Sequence, residues 1–231
     1  MAAPSKGNAS SNQNAAPIAR IPFPRAATLH TEPFVDVTTA LLGANTQPFG
    51  PFDIPAYGYM RHIHILITTA TSGAGVNGAG TEDAPFIAIQ EIVLQDVNGA
   101  PIFGPVSGYD LYLATKYGAY EFSCDPRQSP SFSAIAATGN FAFAVKVPVE
   151  IVERDALGSL ANQNASSTYK LRFTINNAAS IYSVAPTVSN PSLRVRCFLE
   201  AWTQPSTTDL RGMLQETSPM AHGTSQYWSK Y

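Results

Sequence analysis

The sequence predicts an all-β chain folded as an antiparallel sandwich, and three observations carry that prediction. Three well-separated segments alternate apolar and polar side chains with a period of two. Helical periodicity is confined to two short stretches. Chain-turning residues are frequent, with 18 Pro and 16 Gly among 231 residues. Strict alternation is how an antiparallel strand reads when one face packs on a core and the other meets water.

Residues 1–20 are Ala, Ser, Asn and Pro with no apolar period, and read as a flexible arm. Ile21-Pro-Phe-Pro24 is extended, because each proline pushes its predecessor out of the helical region. The arm is assigned to residues 1–31, the sandwich to 32–203 and a C-terminal arm or linker to 204–231. A short strand is expected at 33–39. In 59–69, Tyr59, Arg61, Ile63, Ile65 and Ile67 take one side and Met60, His62, His64 and Leu66 the other. Residues 85–95 form a mostly apolar strand, and the Asn98-Gly99 pair after it favours a tight turn. A short strand follows at 101–105. Phe141, Phe143, Val145, Val147, Val149 and Ile151 face one way, with Lys146 and Glu150 opposite. Tyr169, Leu171, Phe173 and Ile175 alternate with Lys170, Arg172 and Thr174. A short strand is expected at 180–184, and Leu193, Val195, Cys197 and Leu199 alternate with Arg194, Arg196 and Glu200.

About eight strands result, the number a jelly roll needs. Ser107–Lys116 fits a short helix with Leu111 and Ala114 inward and Gly118 ending it, and Asp155–Leu160 fits one further turn. The stretches 70–84 and 120–138 are long loops. Long connections with little helix favour a Greek-key jelly-roll sandwich over an up-and-down barrel. Beyond 203, Leu210, Met213 and Leu214 are spaced for a helical turn against the sandwich, and Tyr227 and Trp228 carry enough apolar area to dock on protein.

Charge narrows the function classes. Hydrophobic residues make up 45% and charged residues 13%, about half the usual charged share. A net charge of −2 excludes a protein that coats nucleic acid by neutralising phosphates. No run approaches the ~18 apolar residues of a membrane span, and the N-terminus lacks the apolar core of a signal peptide. Two cysteines do not make a disulfide scaffold. Cys124 and Cys197 are free to pair, but nothing in the sequence requires it.

The chemical motifs are weak. His62 and His64 share one face of a strand about 7 Å apart. Zinc needs three or four ligands, only His30 and His222 remain, and no carboxylate neighbours the pair. The Gly-rich run Ser72–Gly80 lacks the Gly-Lys-Ser/Thr ending of a phosphate loop. Asp96, Asp110, Asp125, Glu150, Glu153 and Asp155 sit at turns or strand ends, where solvated charges belong, and a two-carboxylate hydrolase stays open without a supporting signal. Asn8-Ala-Ser10 and Asn164-Ala-Ser166 match a glycosylation pattern short enough to arise by chance. No catalytic residue, metal ligand or cofactor is assigned, and the expectation is a protein that is not an enzyme.

Aromatic residues say more. Tyr57, Tyr59, Tyr109, Tyr112, Tyr117, Tyr120 and Phe122 gather around residues 57–60 and 107–122. They suit a contact between subunits, where Tyr is favoured and charge is depleted, or stacking on sugar rings as in a lectin-like module. The interface candidates are Ile21, Phe23, Tyr57, Tyr59, Tyr112, Tyr117, Tyr120, Tyr227 and Trp228.

Pro55-Ala-Tyr-Gly-Tyr-Met-Arg61, Ile92–Ile102, Ser107-Gly-Tyr-Asp-Leu-Tyr112, Lys116-Tyr-Gly118 and Val147–Gly158 follow one another in an order that resembles jelly-roll structural proteins of bacteriophage virions. The likeness is to capsid proteins of the tectivirus-like, double-jelly-roll lineage, and it spans roughly residues 33–230. It implies a capsid subunit in the virion, self-assembling as trimers or pseudo-hexamers with copies of itself and other virion proteins. It implies no sequence-specific nucleic-acid binding and leaves a lipid membrane beneath the shell open. Double-jelly-roll proteins are longer, so this chain is expected to hold one barrel plus arms, as a single-jelly-roll relative, one half of a two-protein system or an incomplete chain. A tail or appendage protein is the structural alternative.

Overall fold

The structure is a computed structural model and describes residues 19–70, 78–118, 139–152, 154–184 and 191–219. In chain order the elements are α1 (Phe23–Ala26), β1 (Leu29–Ala40), β2 (Gln47–Asp53), β3 (Tyr59–Ala70), β4 (Ala79–Gly80), a 3-10 turn (Phe86–Ala88), β5 (Ile89–Gln95), β6 (Pro101–Val106), α2 (Gly108–Tyr117), β7 (Ala142–Pro148), β8 (Leu160–Ala161), β9 (Lys170–Ile175), α3 (Ala178–Ile181), β10 (Tyr182–Val184) and β11 (Ser192–Trp202).

The long strands form two antiparallel sheets, ordered β1-β11-β3-β7 and β2-β9-β5-β6, while β4 and β10 pair separately and β8 adds to β3. Counted along the chain, the eight long strands lie first-eighth-third-sixth in one sheet and second-seventh-fourth-fifth in the other. The pairs β1·β11, β2·β9, β3·β7 and β5·β6 are thus a single long hairpin wound on itself. That winding is the jelly roll, and it makes the sequence-predicted fold class correct in topology as well as class.

Alternation decides what lies between the sheets. Ile63, Ile65 and Ile67 of β3, Phe143, Val145 and Val147 of β7, and Leu193, Val195, Cys197 and Leu199 of β11 point into the core from one side. Leu171, Phe173 and Ile175 of β9 with Ile92 and Leu94 of β5 meet them from the other. Phe49 of β2 stacks on Phe173 with ring centroids 5.3 Å apart. Each such side chain contributes about 1.5–3 kcal/mol when withdrawn from water.

The structure differs from the expectation at several points, each with a local cause. No strand is expected from sequence at 47–53, where two prolines and a glycine interrupt any alternation; these residues form β2, an edge strand, where proline is tolerated. Residues 182–184 pair with β4 and not with either main sheet. Residues 85–88 are turn and 3-10 helix, so β5 starts at Ile89. No helix forms at 155–160, where Ala156 (φ 53°) and Gly158 (φ 89°) are left-handed and Val152 bridges Leu157. Ile151, expected inside, lies beyond the end of β7 and is exposed. The helix α2 forms where expected, although Thr115 and not Ala114 joins Leu111 on the buried side: Ser107 caps it by accepting from the Asp110 amide at 3.1 Å, and Gly118 ends it.

β1 begins at Leu29, ahead of the expected boundary at 32. Before it, Ile21 pairs in parallel with Gln215: the Ile21 amide donates to Leu214 O and the Glu216 amide donates to Ile21 O, both at 2.9 Å. Residues 208–214 are a tight hairpin in place of the expected helical turn. The Asp209 carboxylate accepts from the Arg211 and Met213 amides, and Leu210 at the tip is fully exposed. Cys197 is a buried free thiol, while Cys124 lies outside the described residues.

Candidate functional site

The polar side chains that the fold gathers most closely lie where β3 begins and β11 ends. There the register sets His62 opposite Glu200, with a bulge between Glu200 and Ala201 that turns Arg61 toward the same side. Past Pro148 the chain brings in Glu150, whose amide donates to Arg61 O at 2.9 Å. Arg61 Nε donates to Glu150 Oε1 at 3.1 Å, and Arg61 Nη1 donates to Glu200 Oε1. Trp202 Nε1 donates to the other Glu150 oxygen at 2.6 Å. His64 Nε2 lies 3.0 Å from Glu200 Oε2, and the Arg61 guanidinium carbon sits 5.1 Å from the Trp202 ring centroid.

Burial alone would raise the Glu200 carboxyl, but the His64 hydrogen bond and the neighbouring Arg61, His62 and His64 overcome it and hold it down at about 2. An ionised carboxylate only accepts, so His64 Nε2 carries the proton between them. The arrangement is a clamp in which one guanidinium bridges two carboxylates. A carboxyl held this low does not serve as a general acid near neutral pH.

Three sequence readings are corrected here. A carboxylate does neighbour the histidine pair, because strand pairing delivers Glu200 to His64. Glu150 is not a solvated charge; it is buried, as are Arg61, His62 and Lys146. The described aromatic residues of that set do not form one group: Tyr57 and Tyr59 stand at the start of β3, while Tyr109 and Tyr112 lie on α2, which packs on β7 and β5; Tyr120 and Phe122 lie outside the described residues. Among the described residues, no three His, Cys, Asp or Glu side chains are placed to hold a metal ion. No helix there is long and apolar enough to cross a membrane.

The interface candidates are distributed unevenly. Phe23 is buried in its own chain, in a small cluster with Ala27, Tyr59, Ala156 and Trp202 that is separate from the main core. Its ring stands edge-on to Tyr59 and Trp202, at 5.3 and 6.2 Å. Phe23 and Tyr59 therefore pack within their own chain, and Ile21 is half-buried in the pairing with Gln215. Tyr57 stacks on His30 at 4.2 Å, and Tyr112 on Phe86 at 3.9 Å. Tyr117 is 78% exposed, with the Lys116 ammonium 5.7 Å from its ring. Tyr120, Tyr227 and Trp228 lie outside the described residues. Sequence reasoning missed Arg61, Glu200 and Trp202 as partners; the one signal it had was charge placed within apolar strands.

No protein-family model matches the sequence, and no curated protein does. Among solved structures the chain is similar to one described as "Crystal Structure of the STIV MCP", at 17% identity and a TM-score of 0.47, covering 83% of this chain and 55% of that one. It is also similar to one described as "Life in the extremes: atomic structure of Sulfolobus Turreted Icosahedral Virus", at 16% identity and a TM-score of 0.42, covering 80% of this chain and 51% of that one. The chain spans about half the length of the solved structures it matches.

Proposed function

We propose that this chain is a structural subunit of a viral particle, a shell protein that self-assembles with further copies. The observation that carries the reading is a charge-poor jelly roll with bulky apolar side chains bare at its ends. Leu29, Val97, Ile151, Leu210 and Met213 are exposed at the end where the described termini meet, and Leu42, Tyr117 and Val184 at the other. Scattered exposed apolar residues are ordinary on any protein. The fully exposed Leu210 stands on a hairpin held by Asp209, a rigid placement that suits contact with a neighbour already in place. Fold alone does not decide, since jelly rolls serve lectins and capsids alike. The sequence resemblance supplies the finer reading: a capsid protein ahead of a tail or appendage, in the tectivirus-like lineage of bacteriophages, forming trimers or pseudo-hexamers.

Sedimentation of the purified chain over a concentration series, with electron microscopy of the same samples, tests this. Trimers or larger regular assemblies are the expected result. A chain that stays monomeric at every concentration and is retained on immobilised glycans overturns it in favour of a sugar-binding module.

A further inference from the structure

The four edge strands share a feature that the four central ones lack. The edges are β1 and β7 in one sheet, β2 and β6 in the other. They hold Pro33 in β1, Pro48 and Pro51 in β2, Pro101 and Pro105 in β6, and Pro148 in β7. The central strands β3, β5, β9 and β11 hold none. Central strands must exclude proline to complete their own ladders, so the informative half is that no edge goes without one. Three of these edges are also irregular at the proline. Register shifts fall between Pro33 and Val35 in β1, and between Phe49 and Phe52 around Gly50-Pro51 in β2. In β6 the pairing with β5 shifts over Phe103–Val106, the stretch that contains Gly104-Pro105. The remaining strands, β4, β8 and β10, are two or three residues long and too short to template a partner.

An open strand edge offers unpaired N–H and C=O groups to any extended segment, and a missing N–H combined with a bulge removes that offer. We propose that copies of this chain do not add strands to one another at β1, β2 or β6, where the prolines block strand addition by a neighbour, and associate through side chains and loops there. This rests on the shell reading for the presence of neighbours. In a shell, many copies meet at high local concentration, and an edge able to pair would compete with the regular contact. The surfaces left for contact are the outer faces and the two ends of the sandwich, where the exposed apolar side chains stand.

The test compares the parent chain with Pro33→Val, Pro48→Val and Pro101→Val, singly and combined, and with Pro22→Ala as a proline change outside the strands. Sedimentation gives the concentration at which association sets in, and infrared spectra report intermolecular β-pairing. Hydrogen exchange compares dispersed and assembled parent. The expected result is association of the combined variant at a concentration lower by at least about tenfold, with a new intermolecular β band that Pro22→Ala does not show. In the parent, the amides of β1, β2 and β6 keep the same protection on assembly. Variants that match the parent, or parent edge amides that gain protection on assembly, overturn the proposal. A parent that never assembles sinks the shell reading instead, and the variant comparison still decides the edges. If the combined variant does not fold, the single substitutions carry the comparison.

Discussion

Replacing Glu200 by Gln removes one arm of the Arg61 clamp and leaves the other, so its effect on stability follows from the structure. The folded carboxyl is held at about 2 against an ordinary 4.5, which corresponds to about 3 kcal/mol at 1.36 kcal/mol per pH unit. With 16% of the Glu200 side chain in water, screening reduces this to about 2 kcal/mol. The folded pKa is depressed, so the contribution is fully present above pH 4.5 and is lost as pH falls toward 2. Urea unfolding from pH 7 to pH 2 reads it directly. Glu200→Gln should be less stable by about 2 kcal/mol at pH 7, and the gap should close below pH 4.5, because the unfolded parent takes up a proton that the folded one refuses. A gap that stays constant down to pH 2, or no gap at pH 7, refutes the clamp as the origin of the low pKa.

Phe173→Asp should abolish folding, since an unpaired carboxylate in the middle of the core costs several kcal/mol; a soluble variant with a cooperative melt counts against the inward face of β9. Phe23→Ala empties the separate cluster under Tyr59 and Trp202, so limited proteolysis should cut near residues 19–27 while the sandwich keeps nearly its own melting temperature. A loss of sandwich stability of about 3 kcal/mol or more would mean the cluster is part of the main core. Leu210→Ser should leave stability within about 0.5 kcal/mol of the parent and weaken assembly seen by sedimentation; unchanged assembly removes the hairpin tip from the contact surface.

The fold was largely legible because alternation is a local property. Phe143/Val145/Val147, Leu171/Phe173/Ile175 and Leu193/Val195/Cys197/Leu199 each declare an inward face within seven residues, and all are buried. What local pattern cannot declare is a strand that exists to serve another. Residues 47–53 carry two prolines and a glycine, and become β2 because β9 needs a partner on its open side. The same limit applies at Gly58. Its backbone is left-handed (φ 47°), and a Cβ there would lie 1.9 Å from Trp202 O. From the sequence it is one more turn glycine; its reason stands at the end of a strand more than 140 residues away.

The clamp was illegible for a related reason, and the reason shows what kind of site it is. Its members come from three separate stretches, with Arg61 and His64 on β3, Glu150 after β7, and Glu200 and Trp202 on β11. No sequence spacing joins them; only the pairing of β3 with β11 does. A two-residue slip in that pairing would keep the apolar side chains of β11 facing the core but carry Glu200 about 7 Å along the strand from Arg61 and His64, leaving the ionised carboxylate without its partners. The hydrophobic faces select the sheet, and among the registers those faces tolerate, the charges reject the wrong one. Trp202 extends the same selection to the terminal segment, since the ring that donates to Glu150 also forms a wall against Phe23. Charge placed in this way fixes strand register and anchors the described N-terminal residues, which is a structural task.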